Sequence, residues 1–179
     1  MSPTGGHRSS RRPATDDEAR ALASTVRLRI LRICLGEART NREIADALGR
    51  DPGSVLHHVR TLTDTGFLTA LEPRRGTRGA REIPYLATGK SWTVETPGKD
   101  AHLVAAFVEE AALVPAESMH TMRMGLRMTP DERAEFEGRL EDLVEEFRAR
   151  TDPRNEGDAW SLFFAVHPDP NRPPGTPSP

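Results

Sequence analysis

Apolar residues recur at helical spacing over most of this chain and at strand spacing over a few short stretches. From Asp16 to Leu35, the residues Leu22, Val26, Ile30, Ile33 and Cys34 fall at three- and four-residue steps. That spacing predicts helix, with Ser24 placed to divide it in two. Ile44, Ala45 and Leu48 form the next apolar face. Thr40 is its expected N-cap and Glu43 closes a capping box, while Gly49 supplies the C-terminal stop. Asp51 then caps a further helix, with Pro52 at the first helical position, where the missing N–H costs nothing. Val55, Leu56, Val59 and Leu62 give that helix its stripe, and Gly66 ends it.

The polar residues Ser54, His57 and His58 come early in this last helix and Arg60 follows them. Two helices joined by a tight turn, the second polar near its N-terminus, predict a helix-turn-helix whose second helix enters a DNA major groove. Two short apolar strands follow, over 67–71 and 83–86, separated by the Arg- and Gly-rich segment EPRRGTRGARE. Strands joined by a basic, pliable tip predict a wing that reaches phosphates or a minor groove.

Beyond the wing, Pro97 and Gly98 mark a boundary, and His102 to Leu113 reads as a short helix. His120, Met122, Met124, Leu126 and Met128 then alternate with polar residues, which predicts a strand with one buried face. Thr129, Pro130 and Glu132 open a helix striped by Phe136, Leu140, Leu143, Val144 and Phe147. Trp160 to Val166 reads as a last strand. The expected class is α+β and mainly helical: a winged helix-turn-helix, then a small module of one helix plus strand-helix-strand. The expected divisions are a disordered tail over 1–15, a DNA-binding domain over 16–92 and a linker over 93–100. A C-terminal dimerisation or effector module over 101–167 and a disordered tail over 168–179 complete the chain.

The set ALASTVRLRIL, TNREIADALG, SVLHHV and GFL resembles the ArsR-type winged helix-turn-helix of bacterial transcription regulators, over roughly residues 18 to 92. One position departs from it: Leu56 stands where that family usually carries a small polar residue. The resemblance implies a homodimer, with the first helix in the dimer contact, and double-stranded DNA as partner. It places His58 close to the DNA backbone. Metal sensing in the family runs through paired cysteines or a C-terminal Asp/His set. This chain has one cysteine, Cys34 on an apolar face, and its C-terminal region offers only His102 with Glu109 and Glu110. Neither a metal nor another cofactor is expected.

Composition changes the picture at one point. The net charge is −2 over 179 residues, which is unpromising for a DNA binder. The average hides a split: residues 18–92 hold 13 Lys and Arg against 8 Asp and Glu, and residues 101–150 hold 6 against 11. A basic half beside an acidic half fits a DNA-reading module joined to a dimer or sensor module. The N-terminal stretch has no apolar run of the secretory kind, no stretch is long enough to span a membrane, and the lone cysteine suits a reducing cytoplasm. Nothing resembles a nucleophile elbow, a phosphate loop or a catalytic carboxylate pair, so no enzyme is expected.

The candidate roles follow. Ser54 and His57 approach base edges, and Gly53 lets the helix N-terminus come close to DNA. Asn41, His58, Arg60, Arg74, Arg75 and Arg78 lie on phosphates or in the minor groove. The expected function is a sequence-specific, dimeric, ArsR-like repressor that does not sense metal through cysteines, with a small-molecule effector as a further candidate partner. The alternative is a winged helix used as a protein-interaction module.

Overall fold

A computed structural model describes residues 11–76, 79–96, 98–150 and 157–172, and its contacts divide the chain between Val114 and Pro115. Up to that division the elements are β1 (Arg12–Pro13), α1 (Asp16–Leu22), α2 (Thr25–Ile33), β2 (Arg39–Thr40), α3 (Asn41–Leu48) and α4 (Pro52–Asp64). There follow β3 (Leu68–Ala70), β4 (Arg74–Arg75), β5 (Arg81–Glu82), β6 (Pro84–Ala87), a 3-10 turn (Lys90–Trp92), β7 (Val94–Glu95) and α5 (Asp100–Ala111).

Local polar chemistry starts each of the first four helices. Thr15 with Glu18 and Thr40 with Glu43 form complete capping boxes, and Ser24 and Asp51 accept from the backbone N–H three residues on. These groups satisfy N–H donors that would otherwise be orphaned. Ser24 divides α1 from α2, as its position suggested. Arg27 closes the break from the other side, donating to the carbonyls of Ala21 at 2.5 Å and Arg20 at 2.6 Å. Gly49 ends α3 in the left-handed region at φ 62°, a conformation that costs a side-chain-bearing residue.

The apolar stripes then meet. Ile30, Ile44, Val55, Val59, Leu62, Phe67 and Leu68 are fully buried in one cluster, with Leu22, Cys34 and Val94 beside them. A three-stranded antiparallel sheet in the order β2-β6-β3 borders it, with Leu68 opposite Ala87 and Arg39 opposite Tyr85. β4 and β5 form their own small hairpin beyond this sheet.

Residues 11–15, expected within a disordered tail, are ordered. β1 pairs in parallel with β7, Arg12 N–H donating to Thr93 O at 3.1 Å and Ala14 N–H to Glu95 O at 3.0 Å. Arg12 then reaches Glu18 through two charge-assisted bonds of 2.6 and 2.8 Å. Glu18 is only 5% exposed, and Lys90 meets the same carboxylate at 2.7 Å. Lys90 also donates to Thr65 O at 2.5 Å and stands over the Phe67 ring. One carboxylate thus ties β1, α1, the turn after the wing and the C-terminal end of α4 together.

The boundary also falls later than Pro97 and Gly98 suggested. Val94 is fully buried and Thr96 nearly so. α5 packs on α2 through Leu103 and Ala106, with Arg29 and Glu109 paired at 2.9 Å. Residues 93–96 and 98–111 therefore pack with the winged domain.

After Pro115 come a 3-10 turn at Ala116–Ser118 and the long helix α6 (Pro130–Arg150). Thr129 and Glu132 make the expected reciprocal cap. The mixed, mainly helical class holds, but neither 120–128 nor 160–166 forms a strand. Alternation fixes a face; a strand also needs a ladder partner, which no local pattern supplies. Met122 (74% exposed) and Trp160 (77%) lie in water, and α6 buries no residue. Among the described residues no helix is long and apolar enough to cross a membrane.

Hydrogen bonds from Arg12 first, then from Lys90 and the Thr15 N–H, hold the Glu18 carboxyl far below the usual carboxylate range against the opposing effect of burial. A carboxyl depressed in the folded state stabilises above the unfolded value of about 4.3 and loses that contribution as pH falls below it. Glu18→Gln is expected to lower stability at pH 7 by on the order of 2 kcal/mol, since Arg12 is half in water, and to shrink the parent-variant difference at pH 3. Thermal melts at both pH values check this; equal differences would contradict it.

Candidate nucleic-acid interface

α3 and α4 pack as a helix-turn-helix, and α4 presents one face outward. Val55, Val59 and Leu62 point into the core, which leaves Gly53, Ser54, His57 and Arg60 exposed. Thr61 joins Ser54 and His57 at seven- and four-residue spacing and donates to His57 O at 3.1 Å. Thr61 is an addition to the sequence-derived set, legible only once the face is known. Leu56 is half-buried on the flank, so its departure from the ArsR pattern does not alter the outward face.

The start of α4 is firmly set. Asp51 accepts from Ser54 N–H at 3.0 Å, and a Cβ on Gly53 would stand 3.0 Å from that same carboxylate oxygen. Gly53 therefore leaves room for the cap. Asn41 donates to Pro52 O at 2.8 Å, while its own side-chain carbonyl oxygen is buried with no hydrogen-bond partner among the described residues. This side chain pins the first turn of α3 to the first turn of α4, a structural duty beside the phosphate contact expected of it.

His57 and His58 diverge, with ring centres 5.8 Å apart and planes tilted by 59°. His57 is exposed; His58 is half-buried with Nδ1 3.5 Å from Arg27 Nη1. Burial, then the charge of Arg27, pushes the His58 pKa down. Arg42 on α3, Arg50 in the turn and Arg60 on α4 are exposed and without an ion-pair partner among the described residues. No pattern in the sequence separates Arg42 and Arg50 from ordinary surface arginines.

In the wing, Arg74 donates to both Glu43 oxygens at 2.7 and 3.0 Å, and Arg75 is exposed. Arg78 lies outside the described residues. Cys34 is fully buried, and burial pushes its thiol up to about 12, so it stays protonated. Among the described residues no three His, Cys, Asp or Glu stand close enough to hold a metal ion.

Residues 24–69 match a family model described as winged helix-turn-helix DNA-binding. This chain carries a winged helix-turn-helix DNA-binding domain. The match runs from the cap of α2 through α4 into β3, which is the region that builds the outward face. A comparison with curated proteins finds no match. Among solved structures, zinc-responsive ZitR of Lactococcus lactis, a MarR family member, is 20% identical, covering 75% of this chain and 77% of its own at a TM-score of 0.30. MarR is 22% identical over 77% and 81%, at 0.29. The MepR–DNA complex of S. aureus is 14% identical over 76% and 81%, at 0.28. The winged helix rests on the family model and the geometry.

Because His58 is depressed in the folded winged helix, it favours the fold while neutral, and its contribution is lost as pH falls through about 6.5. An NMR titration of the His58 ring is expected to fall below the ordinary histidine value, and Arg27→Gln to move it up. A ring titrating at or above 6.5 would mean that His58 is solvated.

Proposed function

We propose that this protein is a sequence-specific, DNA-binding transcriptional regulator that acts as a dimer, with an ArsR-like winged helix as its reading head. The observation that carries the reading is the outward face of α4. Small and polar side chains run along that face from the capped end of the helix to its last turn, Ser54 and His57 exposed and Thr61 half-buried. Arginines without an ion-pair partner among the described residues flank it. Such a face can enter a major groove without steric conflict, while Arg42, Arg50 and Arg60 meet phosphates on either side.

The ArsR-like assignment is supported by the residue motifs across α2, α3 and α4. Dimerisation is supported by exposed apolar surface in both units. α5 exposes Val104 and Val108, with Leu113 and Val114 just beyond it, and α6 exposes Phe136, Leu143 and Phe147. Large apolar side chains exposed along a helix mark a candidate surface for a partner. A two-fold dimer would set the two α4 helices on half-sites about one helical turn apart, and an effector acting between the copies would change that spacing.

The test begins with selection of a preferred duplex from random sequences by the full-length protein. Binding is expected at a stoichiometry of two chains per duplex, with affinity falling steeply as salt rises. His57→Ala is expected to lose on the order of tenfold on the selected duplex and little on random DNA. Equal losses on both would remove His57 from base recognition. Failure to enrich any sequence, with binding instead to an acidic protein, would replace the regulator with an interaction module.

A further inference from the structure

The wing hairpin has two chemically different faces. β4 and β5 pair antiparallel with Arg74 opposite Glu82 and Arg75 opposite Arg81. Successive side chains on a strand point to opposite faces. One face therefore carries an arginine and a glutamate, and the other carries two arginines.

The mixed face is anchored. Arg74 reaches across to α3 and donates to both oxygens of Glu43. Glu43 is itself fixed, accepting the Thr40 N–H at 2.7 Å as half of the capping box. The wing is thereby joined to the first turn of the helix-turn-helix by a charge-assisted bond between residues 31 positions apart.

The other face is unbalanced. Arg75 and Arg81 are both exposed, sit directly across the ladder, and have no ion-pair partner among the described residues. Like charges directly opposite on a strand pair are destabilising, and nothing among the described residues offsets them here. A polyanion would. Double-stranded DNA presents about one phosphate charge per 1.7 Å of helix axis, a density suited to two guanidinium groups about 5 Å apart at their Cβ atoms.

We infer that Arg75 and Arg81 form the wing's seat for DNA phosphodiesters, and that Arg74, held by Glu43, is a positioning residue that orients this seat and is not itself a phosphate ligand. The inference rests on the DNA-binding reading above and deepens it. It sets Arg81 beside Arg75 on one face of the wing and gives Arg74 a different task. It also assigns Glu43 two roles, capping α3 and fixing the wing.

The test uses the full chain and a fluorescently labelled duplex of random sequence, with affinity measured across a salt series. Arg75→Gln and Arg81→Gln are each expected to flatten the slope of log affinity against log salt by about 0.9 for each phosphate left without its arginine. Arg74→Gln and Glu43→Gln are expected to leave the slope unchanged while weakening binding by less than about fivefold. The double variant should be no weaker than either single one, because both changes remove the same ion pair. Glutamine at position 43 still completes the capping box, so α3 keeps its start. A flatter slope for Arg74→Gln together with tighter binding for Glu43→Gln would overturn the inference, making Arg74 a phosphate ligand that Glu43 restrains. Unchanged slopes for Arg75→Gln and Arg81→Gln would overturn it as well. The parent chain separates the two levels: if it shows no salt-dependent binding to duplex DNA, the DNA-binding reading itself fails.

Discussion

The buried carboxylate of Glu18 is the point at which the first unit is tied together. It accepts from Arg12, from the Thr15 N–H and from Lys90. Lys90 in turn caps the carbonyl end of α4 and lies over Phe67. A cation at a helix C-terminus interacts favourably with the macrodipole and the last carbonyls. The orientation of α4 is therefore fixed at both ends, by Asp51 and the Asn41–Pro52 bond at the start and by Lys90 at the finish. A buried carboxylate with two cations has little net worth against an apolar substitute, but removing one partner leaves a costly uncompensated charge. The arrangement favours geometry over raw stability and holds α4 in one orientation.

The outward face of α4 follows from that constraint. With the α4 stripe of Val55, Val59 and Leu62 locked into the core, the opposite side is fixed as Ser54, His57, Arg60 and Thr61. The wing takes its position from a second long-range ion pair, Arg74 to Glu43. Each of the two pairs uses one carboxylate twice, once to cap a helix and once to receive a cation from a distant segment. Glu18 closes the box with Thr15, and Glu43 closes the box with Thr40. The capping glutamates thus join local helix initiation to tertiary placement.

Local chemistry made much of this legible in the sequence. The caps at Thr40 and Asp51, the stop at Gly49, the break at Ser24 and the two strands bordering the wing depend on neighbours within a few residues, and each lies where its pattern placed it. The interactions that orient these elements were not legible. Arg12 and Lys90 meet Glu18 from two other elements, one before it and one far beyond it in the chain, and nothing in their local context distinguishes them from solvated cations. The hairpin register that opposes Arg75 to Arg81 depends on how the tip turns, so the two faces of the wing could not be read either. The alternation over 120–128 and the apolar run over 160–166 mark surfaces but not their partners, and the strands expected there do not form. The boundary was misplaced because Pro97 and Gly98 signal a turn, whereas the burial of Val94 and the packing of α5 on α2 decide which unit the segment joins.

The most direct measurement of the central claim, that α4 and the wing form the nucleic-acid surface, is a backbone amide chemical-shift map on addition of short duplex DNA. The expected result is early, salt-sensitive perturbation at Gly53 to Thr61 and at Arg75 and Arg81, with α6 unmoved at the same DNA concentration. Perturbation confined to α5 or α6, with the α4 amides unchanged, would contradict it.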